Sequence, residues 1–215
     1  MASRSHPGGA MATATVYVTD HSFGVFDTDE MPIEAVDWTT GLLGPLAAGA
    51  MIYTGVDRGP VHVSVDVRTE PPDEVVTDGW DDIVEATVNA PHGQLRVHSL
   101  EYGPTDRPPP LPILSPAGPG SYRIRVHARD RDLHYDLACT EPTERYLLTV
   151  WPAPPLPPLV IRATDRCGYG MRLSWLHRPT DASTLGPPPG PDPADELAHQ
   201  RLMHARQQAH RPSRQ

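Results

Sequence analysis

The side chains able to do chemistry are eleven histidines, two cysteines and a run of carboxylates between Glu70 and Glu85. A histidine metal site needs ligands that converge. The pairs His92/His98 and His127/His134 fall on different strands and loops, and His199/His204 are five apart, off the i,i+4 spacing that sets two ligands side by side on a helix. Cys139 and Cys167 lie in no C-x-x-C pair and no Cys/His cluster. The reading is therefore no metal and solvated histidines. For nucleophilic catalysis there is no G-x-S-x-G elbow, and neither cysteine sits in a catalytic signature. His134, Asp136 and Cys139 are close along the chain, but neighbours in an extended segment point to different faces. Gly168–Tyr169–Gly170 is too short for a phosphate loop, and a Walker lysine is impossible because the chain has no lysine at all. The expectation is a protein that is not an enzyme and has no cofactor.

The densest charge feature is Glu70, Asp73, Glu74, Asp78, Asp81, Asp82 and Glu85, set around Trp80 with no basic residue between them. It reads in two ways. It can be a solvated connection between strands, or an anionic surface with an exposed aromatic anchor that fits a basic protein by charge complementarity. In the second reading Asp73, Glu74, Asp78, Trp80, Asp81 and Asp82 bind the partner. The run has no EF-hand spacing, which argues against calcium. The net charge of −9 is carried by the first half, where Met1–Ala90 holds fifteen acidic residues against three arginines. Such a face repels nucleic acid and attracts basic proteins. The all-arginine basic set, with abundant alanine, proline and glycine, is what codon bias in a GC-rich bacterial genome produces.

Positioning these residues falls to short β-type runs: Thr15–Val18, Phe23–Phe26, Ala50–Tyr53, Val61–Arg68, Ile83–Val88, Leu95–Leu100, Tyr122–Ala128, Tyr146–Trp151 and Leu159–Ala163. Val61, Val63, Val65 and Val67 alternate with His62, Ser64, Asp66 and Arg68. Tyr122, Ile124, Val126 and Ala128 alternate with Arg123, Arg125, His127 and Arg129. One buried and one wet face require such a pattern. Helical periods between the strands are missing, which argues against βαβ units. The fold expected is all-β, an antiparallel β-sandwich of about eight or nine short strands over residues 15–176, with Val63, Val65, Ile124, Val126, Leu148 and Trp151 in its core. Trp38 and Trp175 also read as core. Residues 1–14 read as a flexible arm or an overextended start ahead of Met11. Residues 177–215 read as a disordered, Pro-rich tail with one possible helix from Asp192 or Asp195 to Gln208. The 27 prolines crowd into Arg107–Pro119, Pro152–Pro158 and that tail.

Two stretches, Tyr17-Val-Thr-Asp-His-Ser-Phe-Gly-Val-Phe26 with Val36-Asp-Trp-Thr-Thr40, and Tyr146-Leu-Leu-Thr-Val-Trp-Pro-Ala-Pro154, resemble the competence protein ComJ family, small inhibitors of the DNA-entry nuclease. The likeness runs over about residues 16–154. It implies a compact β-domain that binds and blocks another protein, and it carries no inhibitory residue onto a named position. The Pro-rich loop and the tail depart from it.

The first residues lack the apolar core of a signal peptide, and no segment has the ~18 apolar residues of a membrane helix, so a cytoplasmic protein with reduced thiols and no membrane contact is expected. Two functions compete. One is an inhibitor or immunity-type protein that masks a basic nuclease. The other is an interaction scaffold whose Pro-rich loop and tail recruit polyproline-binding partners.

Overall fold

The computed structural model describes residues 11–28, 36–101 and 109–177. The possible helix at Asp192–Gln208, the His199/His204 pair, most of the proposed arm and nearly all of the tail lie outside the described residues, which belong to one compact unit ending at His177. The structure is mostly β. Strands β1 (Ala12–Val18), β5 (Gly59–Val67), β9 (Arg145–Pro152), β8 (Gly120–Arg129), β6 (Asp82–Ala90) and β10 (Leu159–Ala163) form one sheet in that order. Strands β3 (Leu43–Leu46), β4 (Gly49–Tyr53), β2 (Ser22–Phe26) and β7 (Arg96–His98) form the second. A single helix, α1 (Arg166–Leu176), closes the described chain.

Each of the nine expected runs overlaps a strand, with β3 a tenth, and Val61, Val63 and Val65 of β5 and the Tyr122/Ile124/Val126/Ala128 face of β8 are buried as the period of two requires, while Val67 is only partly buried. The six residues expected in the core are all there. One continuous apolar cluster draws on both sheets, with Phe23 and Ile52 from the second and Ile124, Val126 and Leu148 from the first.

Four expectations are corrected. The first sheet is mixed, because β5 and β9 run parallel; alternation reports which face is buried and says nothing of direction. The proposed arm ends earlier than residue 14, since Ala12–Ala14 pair with Val65–Val63. Strand β3 was hidden by Gly44 and Pro45. Proline is tolerated there because β3 is an edge strand, free of a partner on one side. Helix α1 was missed because two glycines weaken its propensity. It forms because the Asp165 carboxylate accepts from the Gly168 amide and Asp132 accepts from the amides of Arg166 and Cys167, so that two carboxylates satisfy its first turn.

The outer face of β8 is also not wet: Arg123, Arg125 and His127 are buried. Residues 69–80 and 153–158 lie over this face. Arg125 donates to the Glu74 carbonyl, Arg123 to the carbonyls of Leu156 and Pro157, and Trp80 rests on the His127 ring at 5.4 Å. No helix among the described residues is long and apolar enough to cross a membrane.

Candidate functional site

Several connections of the β unit are tied together by Arg131. This side chain is fully buried, and its five N–H groups are all used. Nε donates to Asp165 at 2.6 Å, one Nη to Asp165 and Asp82 at 3.0 and 2.9 Å, and the other to the carbonyls of Gly41 and Tyr53, both at 3.1 Å. Burial works against its charge, but Cys167, Asp165, Tyr146 and Asp82 outweigh burial and hold its pKa above the ordinary arginine value. One guanidinium thus ties the helix cap, the start of β6, the turn before β3 and the end of β4 to the loop that follows β8.

A second buried charge holds the neighbouring loop. Glu144 accepts from the amides of Gly55 and Val56 and from the Tyr146 hydroxyl. Burial pushes its carboxyl up from the ordinary value, against the pull of those hydrogen bonds. The fixed 54–58 loop then carries the 131–139 loop by three backbone bonds: Asp136 N–H to Gly55, Asp57 N–H to Leu137, and Cys139 N–H to Arg58. It carries the β1–β2 turn as well, where Asp20 and His21 are both left-handed and His21 exchanges bonds with Asp57 and Thr54. That turn has two residues with positive φ, the geometry that matches the twist of a hairpin.

What this framework displays is the 131–139 loop. Leu133, Tyr135 and Leu137 are 62%, 50% and 53% exposed. Large apolar groups held rigidly in water mark a contact surface more than they mark a fold. Beside them His21 stacks on Tyr53 at 5.5 Å and faces Tyr135 at 5.7 Å, while its Nε2 lies 3.2 Å from Asp136. Burial, with the Tyr135 hydroxyl at 3.5 Å, raises the Tyr53 pKa beyond the physiological range, so this phenol is a neutral hydrogen-bonding group. Asp57, Asp130, Asp132 and Asp136 surround the apolar residues, and a cleft of about 620 Å³ lined by Asp132, Tyr135, Arg166, Cys167 and Gly170 opens next to them. The Cys167 thiol in that cleft is pushed up to about 12 by burial, so it is a thiol and not a nucleophilic thiolate at neutral pH. Both cysteines are free.

The acidic run looks different in three dimensions. Asp82 is fully buried in the Arg131 network, and Arg172 also donates to it at 3.3 Å. Asp81 accepts from the Asp130 amide at 2.9 Å. Glu85 is clamped between Arg123 and Arg125. Asp82 therefore cannot touch a partner, and Trp80, expected as an exposed anchor, is half-buried against His127. Asp73, Glu74 and Asp78 remain exposed. The histidines disperse: His92 bonds Asp27, His98 lies on Phe26 and His127 lies under Trp80. Of the Pro-rich loop, the described part is anchored by buried Leu111 and Leu114, with Leu114 N–H bonded to Leu95, so that stretch is no free ligand. Trp151 is buried as expected, whereas Trp38 and Trp175 are only partly covered.

No family model matches this chain, and no curated protein matches it. Among solved structures, one described as "Crocagin biosynthetic gene J" is similar over 67% of this chain and 99% of its own, at 19% identity and a TM-score of 0.43.

In the sequence the 131–139 loop is marked by the proximity of His134, Asp136 and Cys139. A signal was present: Leu133, Tyr135 and Leu137 alternate with Asp132, His134 and Asp136. Alternation of that kind predicts a half-buried strand, and only the structure shows that the chain runs here in turns, with Asp130 and Asp136 left-handed.

Proposed function

We propose that this chain is a non-enzymatic protein-binding module that docks through the 131–139 loop onto a basic surface of its partner. The observation that supports this reading is the exposure of Leu133, Tyr135 and Leu137 on a loop immobilised by Arg131 and Glu144. Ordering a loop before binding removes an entropic cost of association, and a central aromatic is the residue type that dominates interface energetics. The carboxylates of Asp57 and Asp136 beside the apolar residues favour a partner with arginine or lysine at its rim. Within this class, an inhibitor that masks a basic nuclease fits the acidic first half and the resemblance to the ComJ family. Two sheets packed face to face as a sandwich would carry the loop, and the free thiols suit a cytoplasmic setting. Asp73, Glu74 and Asp78 would then steer the encounter without being the anchor.

The test starts with a photo-crosslinking residue in place of Tyr135, used in the native host to capture the partner. Surface plasmon resonance then compares wild type with Tyr135→Ala and Leu137→Asp. The expected result is a loss of about 2 kcal/mol, roughly 30-fold in Kd, for Tyr135→Ala, mostly from faster dissociation. Unchanged kinetics in both variants would refute the reading.

A further inference from the structure

A second, independent surface lies at the opposite end of β8, where β9 leaves the sheet: Pro152 pairs with Tyr122, whereas Arg145 pairs with Arg129 beside the 131–139 loop. The chain there reads Pro152-Ala-Pro-Pro-Leu-Pro-Pro158. Its backbone conformation follows from covalent geometry. Each proline has φ near −65°, and each residue that precedes a proline is driven from the helical region to extended or polyproline II values. Trp151, Ala153, Pro154, Leu156 and Pro157 all precede a proline, so the segment is strongly biased to extended and polyproline II conformations.

The protein body holds this segment by one side only. The Thr87 hydroxyl accepts from the Leu156 amide at 2.9 Å and donates to its carbonyl at 3.0 Å. Arg123 donates to the carbonyls of Leu156 and Pro157, each at 3.0 Å. The Arg123 donor is itself fixed by Glu85. The side chains point the other way: residues 154–158 are exposed, with Leu156 at 55%. A polyproline II helix repeats every three residues, so Ala153-Pro154 and Leu156-Pro157 form two equivalent apolar-proline steps on one edge. Leu159 and Val160 extend the apolar surface, and the exposed Arg162 makes no ion pair among the described residues.

From this we infer that residues 152–160 are a ligand for an aromatic-lined polyproline groove on another protein, of the SH3 type, with its two proline pockets filled by Ala153-Pro154 and Leu156-Pro157 and an acidic rim facing Arg162. Such grooves select a helix that is already formed, and here the ordering entropy is removed twice, by the prolines and by the Arg123 and Thr87 tethers. The surface does not depend on the 131–139 loop, and either can fail without the other.

The test is an NMR titration of the ¹⁵N-labelled full chain with a panel of purified SH3 domains. The expected result is saturable binding by at least one domain, with shifts confined to residues 151–163. Leu156→Asp and Pro157→Ala, each checked for a native spectrum, should weaken that binding at least tenfold, and Tyr135→Ala should leave it unchanged. Absence of binding by every domain at millimolar concentration would overturn the inference. So would self-association of the chain through the β10 edge detected by sedimentation, or binding that survives Leu156→Asp.

Discussion

Histidine 127 should make this protein sensitive to mild acid. Its ring is buried between β8 and the 69–80 segment, under Trp80, and neither ring nitrogen has a well-formed hydrogen-bond partner. Burial, aided by the Arg125 guanidinium, pushes its pKa down to about 4 from 6.5. A depressed value means that the folded chain holds a neutral ring while the unfolded chain takes up a proton. The stability this group contributes is therefore complete above about pH 6.5 and is lost as pH falls through the window from 6.5 to 4. Each pH unit of difference corresponds to about 1.4 kcal/mol, so the full loss is about 3 kcal/mol, of which about 2 kcal/mol is gone at pH 5. Against a typical total of ~5–15 kcal/mol this is a large share. The perturbation is His127→Leu, which fills the site with an apolar group of similar reach and changes stability at pH 7.5 by no more than about 1.5 kcal/mol. The assay is urea unfolding followed by tryptophan fluorescence at pH 7.5 and 5.0. Carboxyls such as Glu144 and Asp165, whose values are raised by burial, titrate alike in both proteins, so the difference between the two pH dependences isolates position 127. Wild type should lose about 2 kcal/mol more than the variant between the two pH values. Equal losses would refute the reasoning, because His127 would then titrate as a solvated ring and the cover formed by Trp80 would be open.

Two further outcomes follow from the buried charges. Arg131→Met should destabilise the fold by about 3–5 kcal/mol in chemical denaturation at pH 7, since it leaves Asp82 and Asp165 buried without their counter-ion; adding Asp82→Asn and Asp165→Asn to that variant should recover part of the loss. Gly55→Ala should lower stability by about 3 kcal/mol, because a Cβ there would overlap the main-chain carbonyl of Arg131, and a thermal melt indistinguishable from wild type would count against the packing of these two loops.

Several features of this protein are legible in the chain itself. The alternation in Val61–Val67 and Tyr122–Ala128 marks which side chains face the core, because a strand has a period of two whatever it pairs with. Those residues are buried as read, except Val67, which is partly exposed at the end of β5. The same pattern is blind to strand direction, so the parallel β5–β9 pair could not be foreseen, and it is blind to what lies over the second face. Arg123, Arg125 and His127 look solvated because they alternate with apolar residues. They are buried because segments some 50 positions before and 30 positions after them fold across the sheet. Only part of the acidic run faces water, for the same reason: Asp73, Glu74 and Asp78 are exposed, while Asp82 and Glu85 are buried. Asp82 carries its charge in the sequence, but whether that charge faces water or Arg131 is set by a contact 49 residues away. Conversely Leu133, Tyr135 and Leu137 look like strand residues and become a display because the chain there runs in turns held by the 54–58 loop. Local periodicity is a property of the backbone and survives in any fold. Burial of a charge or exposure of an apolar group depends on which distant segment arrives at the same face, and only the tertiary structure decides that.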